Sequence, residues 1–227
     1  MGRSVVLYSN LWATVLLLIM FAVSSLTGGH TGRVSHLQGR VIVLDPGHGG
    51  GDPGTVGVGP TTEAENVLAI AWELKDMLER AGARVIMTRQ SDTNPAWGTI
   101  YSAQENGQLA SRVAAANRSQ GQIFISLHND WHDDQSIRGT SVHFYKWQDL
   151  ALAEALQRSL VNRLQTVDLG VQRSNFYVLR NTSMPAALVE VGFLSNQEEA
   201  ARLAQPTYRL EVARALFMGI NNYFAEL

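Results

Sequence analysis

The sequence predicts an α/β fold, with a mixed, mainly parallel sheet of roughly six strands and helices on both faces. Three observations predict it. From Arg40 onward, short apolar runs alternate with longer amphipathic stretches. The composition is that of a globular protein, with 45% hydrophobic and 17% charged residues over a 227-residue chain, enough for one domain with a full core. The polar residues capable of chemistry stand where apolar runs end, and in open α/β sheets sites gather at the ends of strands.

The chain divides into three parts. The run "VVLYSNLWATVLLLIMFAVSSL" (5–26) matches the ~20 apolar residues that a membrane-spanning helix needs. Residues 1–27 are therefore expected to be a signal peptide or a membrane anchor. The run is long for a signal peptide and its cleavage site is poor, which favours the anchor. A polar linker is expected over 28–39 and the folded domain over 40–227.

The elements follow in order. "VIVL" (41–44) is a buried strand. "ENVLAIAWELKDMLERAG" (65–82) sets Val67, Leu68, Ile70, Ala71, Leu74, Met77 and Leu78 on one helical face. Thr62 and Glu65 fit a capping box, which places Glu63 at the first helical position. Gly82 suits the helix end. "RVIMT" (84–88) is a strand and "GQLASRVAAANRS" (107–119) a short helix. "IFISLH" (123–128) and "TSVHFYK" (140–146) are strands, and "DLALAEALQRSLVNRLQ" (149–165) is an amphipathic helix. "NFYVLR" (175–180) and "AALVEV" (186–191) are expected as two more strands. A long helix over 207–227 closes the chain.

The formal net charge is -2 and no basic stripe stands out, so nucleic acid is not expected as a partner. The absence of cysteine removes disulfides and thiolate metal sites. Four residues remain, at or near strand ends and at the start of the first helix. His48 follows the first strand in "LDPGHGG". His128 ends the third. Glu63 opens the first helix. Glu190 lies inside the apolar run "AALVEVGF". A lone histidine after a strand is more often a loop residue than a ligand. A lone glutamate at a helix start often serves only the dipole. Glu190 is harder to dismiss, because a carboxylate in a strand core costs several kcal/mol unless it is paired, protonated or near a metal. An arginine partner would be its ordinary explanation. Together, two histidines and a glutamate from separate elements match a catalytic zinc site, in which three protein ligands leave a position for water. Glu190 is then the candidate to carry the water's proton to a leaving amine. His132 and His143 are expected in loop and packing roles, and Arg89, Arg112 and Asn117 as buried structural residues.

The stretches "IVLDPGHGGGDPGTVG", "SLHND" and "NFYVLRNTSMPAALVEVGFLSNQEEA" resemble the zinc-dependent N-acetylmuramoyl-L-alanine amidases, the family called amidase 3. The resemblance runs from about Arg40 to the C-terminus. It implies hydrolysis of the amide between N-acetylmuramic acid and the first L-alanine of the peptidoglycan stem peptide. It implies one zinc ion on His48, Glu63 and His128, with Glu190 as catalytic carboxylate. The chain looks like the small, membrane-tethered form of the family. It is expected to be exported to the cell envelope with the catalytic domain outside the cytoplasm, or secreted if the N-terminal segment is cleaved. A monomer is expected, with or without a protein activator. Two rivals are a zinc peptidase acting within the stem peptide and an inactive wall-binding or regulatory protein. The segment 91–112 is longer than in the shortest family members and fits either a lid or a surface insertion. Asp45 and Asp52 are both placed to orient His48, and Asn175 or Arg180 to reach the stem peptide.

Overall fold

A computed structural model describes residues 35–227. The apolar run 5–26 and the anchor-or-signal expectation for residues 1–27 lie outside the described residues. Packing begins before Arg40, since Leu37, in the stretch read as linker, is fully buried in the main core. Among the described residues no helix is long and apolar enough to cross a membrane.

The sheet holds β1 (Val41–Pro46), β2 (Arg84–Met87), β3 (Ile123–Asp130), β4 (Thr140–Phe144), β5 (Asp168–Arg173) and β6 (Ala186–Phe193). Their order is β2-β1-β3-β6-β4-β5. β1 pairs in parallel with β2 and β3, and β3 in parallel with β6. β4 runs antiparallel to β6 and parallel to β5, so the sheet is mixed and mainly parallel, as the sequence predicts.

The expected set of elements needs correction. "NFYVLR" is not a strand, because Tyr177–Asn181 form a single helical turn, α4. Its consecutive residues Val178 and Leu179 pack into the same cluster, whereas successive strand residues point to opposite faces. The sixth strand is β5, "DLGVQR", which the pattern did not reveal. It lies at the sheet edge, where half-exposed residues carry no alternation.

The helices are α1 (Glu63–Arg80), α2 (Gly107–Arg118), α3 (Leu150–Leu164), α4, α5 (Gln197–Leu203) and α6 (Pro206–Ala225). α1 opens with the expected capping box, in which Thr62 accepts from the Glu65 N–H and the Glu65 carboxylate accepts from the Thr62 N–H. α1, α3 and α6 cover one face of the sheet, over Ile42, Leu44, Ile125, Leu127 and Val189. α2 and α4 cover part of the other, over Val43, Phe124, Ala186 and Leu188.

Candidate active site

The site is built on the thinly covered face, and strand register lays out its floor. Side chains alternate along a strand, so registered neighbours share a face. The first row is Val43, Phe124 and Ala186, all apolar and fully buried. The second is Asp45, Ser126 and Leu188. In the third, His128 stands beside Glu190. One step along each strand changes packing into chemistry.

Asp45 anchors the second row. Its carboxylate accepts from Thr88 Oγ1 at 2.6 Å, Ser126 Oγ at 2.7 Å and Arg112 Nη1 at 2.6 Å. Burial works to raise its pKa, but the Arg112 charge and these hydrogen bonds outweigh it and hold the carboxyl below its ordinary value. Asp45 therefore serves the framework, and Asp52 is the residue that meets His48.

Beyond β1 the chain turns through Gly47 and His48. A Cβ on Gly47 would lie 2.3 Å from the ring of His128, so only glycine leaves room for that imidazole. His48 itself has φ +58°, the left-handed conformation that costs an L-residue about 1–2 kcal/mol. Two buried arginines hold the turn. Arg89 donates to the carbonyls of Pro46 at 2.9 Å, Gly47 at 2.7 Å and Ala64 at 2.9 Å. Arg112 donates to the carbonyls of Pro46, at 2.7 Å, and His48. Both fill the expected structural role. Asn117 is exposed rather than buried, and joins the end of α2 to the Asn181 carbonyl and the Ser183 N–H.

His48, Glu63 and His128 converge. His48 Nε2 lies 3.0 Å from Glu63 Oε1, and His128 Nδ1 lies 2.8 Å from the same oxygen. One donor atom from each residue falls within 4.8 Å of the others, a group able to hold a metal ion. The Glu63 carboxylate is fixed by the Asn129 N–H at 3.0 Å and the Thr55 N–H at 2.8 Å. Its burial would raise its pKa, but the hydrogen bonds and charges of the two histidines prevail and hold it well below the carboxylate range. Burial likewise opposes protonation of His48, yet Glu63 and Asp52 together raise its pKa. Asp52 Oδ2 is 3.0 Å from His48 Nδ1, on the side of the ring away from Glu63. A carboxylate there fixes the tautomer of a metal-binding histidine.

Glu190 faces a cavity of about 200 Å³ whose walls include Gly47, His48, His128, Phe176, Tyr177 and Leu188. Only 9% of it is exposed, and its Oε2 has no hydrogen-bond partner among the described residues. Among the described residues it pairs with no arginine. Burial, and then the negative charges of Asp130 and Glu63, raise its pKa well above the carboxylate range. Its ordinary explanation is therefore absent, and unpaired, desolvated carboxyls of this kind collect at functional sites.

The remaining candidates sit elsewhere. His132 is an exposed loop residue whose Nδ1 accepts from the Asp134 N–H. His143 is buried between Ser141 and Ser174. Asn175 and Arg180 pair with each other at 2.8 Å on the surface. Phe176 and Tyr177, which wall the cavity, were hidden because their segment was read as a strand.

A family description, Amidase_3: N-acetylmuramoyl-L-alanine amidase, matches residues 42–222. The germination-specific N-acetylmuramoyl-L-alanine amidase of Bacillus subtilis is 38% identical over 195 residues, which is 84% of this chain and 82% of that protein. Among solved structures, the amidase AmiC2 of Nostoc punctiforme superposes with a TM-score of 0.74 at 31% identity, over 82% of this chain and 97% of that one. The CwlD amidase of Clostridioides difficile, solved in complex with the GerS lipoprotein, superposes with a TM-score of 0.77 at 28% identity, over 83% and 100%. The chain belongs to the Amidase_3 family of N-acetylmuramoyl-L-alanine amidases.

Proposed function

We propose that this chain cleaves the amide between N-acetylmuramic acid and L-alanine of the peptidoglycan stem peptide, with one zinc ion on His48, Glu63 and His128 and with Glu190 as the proton carrier. The donor set fits zinc, since two imidazoles and a carboxylate leave a fourth position open. Such an ion, when bound, lowers the pKa of water and polarises the scissile carbonyl. The chain's own residues do the rest. Asp52 orients His48, and the Asn129 and Thr55 amides orient Glu63. Glu190 takes the proton of the attacking water and delivers it to the alanine nitrogen as the C–N bond breaks. Its raised pKa suits a group that must keep a proton between those two transfers. Phe176, Tyr177 and Leu188 keep the cavity apolar around it.

The single observation that carries this reading is the placement of an unpartnered, buried carboxyl beside His128 on the neighbouring strand. The apolar run 5–26 supports an exported protein, held to the membrane by residues 1–27 or released if that segment is removed.

Product analysis tests it. The full chain, supplied with zinc, is digested with purified peptidoglycan alongside Glu190→Ala. Free stem peptides with intact L-alanine amino termini, absent in the variant, are expected by mass spectrometry. Shortened stems still attached to muramic acid would move the activity to the peptidase class. A zinc-loaded chain that releases nothing would point to a required protein partner.

A further inference from the structure

A second cavity of about 340 Å³ lies beside the candidate site, lined by Gly50, Gly51, Asp92, Asn94, Trp97 and Ser102. Small-molecule pockets span roughly 300–1,000 Å³. The cavity combines one aromatic wall with carboxylate, amide and hydroxyl groups. Trp97 is 82% exposed, an unusual state for the largest side chain, which loses apolar contact there.

The turn that displays Trp97 is firmly built. Asn94 Oδ1 accepts from the Ala96 N–H at 2.9 Å. Thr99 and Ser102 both donate to the Ala96 carbonyl at 2.6 Å. Ser111, on α2, donates to the Pro95 carbonyl at 2.7 Å. This segment also shares a wall with the turn that carries His48. The Gly50 N–H donates to Asp92 Oδ1 at 2.7 Å, and a Cβ on Gly49 would lie 2.7 Å from the Thr93 carbonyl.

We propose that this cavity is a glycan subsite, which takes an N-acetylated pyranose of the strand next to the muramic acid that reacts. The proposal rests on the amidase reading above. A pyranose presents a C–H face that packs on indole and a rim of hydroxyl and acetamido groups that hydrogen-bond to amides, hydroxyls and carboxylates. The cavity offers both at once. One turn joins the two cavities, since His48 walls the one that holds Glu190 and Gly50, two residues on, walls this one. The segment 91–112 is then neither a lid nor an idle insertion.

The test titrates the full chain with chitotetraose, a peptide-free N-acetylglucosamine oligomer, by calorimetry. Wild type binds it, Trp97→Ala weakens binding by at least about tenfold, and Trp97→Phe recovers most of it. The exposed indole leaves the melting temperature of both variants near that of wild type. In parallel, the ratio of stem-peptide release from polymeric glycan to release from a single muramoyl-peptide drops in Trp97→Ala. No heat with wild type, or equal heat with Trp97→Ala, overturns the subsite. Trp97-dependent binding to phosphatidylglycerol vesicles without oligosaccharide binding overturns it in favour of a membrane contact by Trp97 and the equally exposed Ile100. If chitotetraose binds through Trp97 while the stems are shortened but stay attached to muramic acid, the sugar site stands and the amidase reading falls.

Discussion

The two faces of the sheet are made from alternate residues of the same strands, yet they do different work. On the face under α1, α3 and α6, β1 contributes Ile42 and Leu44, β3 contributes Ile123, Ile125 and Leu127, and β6 contributes Ala187 and Val189. All are buried and apolar along the whole strand. On the other face the same strands grade from Val43, Phe124 and Ala186 through Asp45 and Ser126 to His128 and Glu190. Stability and chemistry are thus separated by one residue step. The unpaired carboxyl and the left-handed histidine lie on the thin face, on or just after strands whose other side is buried throughout.

Substitutions on the two faces should therefore split activity from stability. The largest effect is expected at Glu190. Glu190→Gln keeps the shape and removes the proton carrier, so turnover falls by about 10²–10⁴. Its melting temperature does not fall, because the buried group it loses has no partner. A parallel loss of turnover and stability would erase the contrast between the faces.

Asp45→Asn comes next. It strands the buried Arg112 charge and is expected to cost about 3 kcal/mol in denaturant unfolding. The pH dependence has a definite sign. The folded pKa of Asp45 is depressed, so its contribution is complete above the unfolded value of about 3.9 and is lost as pH falls through the lower folded value. The stability gap between wild type and variant should stay level from neutral pH to mild acid and narrow only below the unfolded value. A gap that widened in acid would exclude Asp45 as an ionised anchor.

Asp52→Ala removes the partner of His48 Nδ1 and should weaken zinc binding by about 10–100-fold, with little change in folding. Competition with a chelator measures this, and unchanged affinity would leave Asp52 without the assigned role. Ile125→Val, on the thick face, is the smallest change. It should cost about 1 kcal/mol of stability and leave zinc affinity and turnover unaffected.

Much of this contrast was legible before the structure. The apolar runs of β1 and β3 end in polar residues and that of β6 is broken by Glu190, and those positions mark the site whatever the fold's details. Thr62 and Glu65 gave away the start of α1, and with it the aim of Glu63. Other features depend on contacts between distant segments. Asp45 and Asp52 are equally close to His48 along the chain, and only the packing of α2 against β1 assigns Asp45 to Arg112. β5 was missed because an edge strand needs no buried face. α5 was missed because seven residues are too few for a periodicity, although Asn196 ahead of Glu198 and Glu199 is an N-cap signal. The turn conformation of His48 has no signature in a histidine's neighbours beyond an abundance of glycine.

That turn sets up a conflict between two kinds of selection. A glycine at position 48 would relieve the left-handed strain at φ +58°, whereas alanine would inherit it. A library screened for heat resistance should therefore enrich His48→Gly, and one screened for wall lysis should purge it. Inherited variation at this position would record which of the two pressures a lineage had lived under.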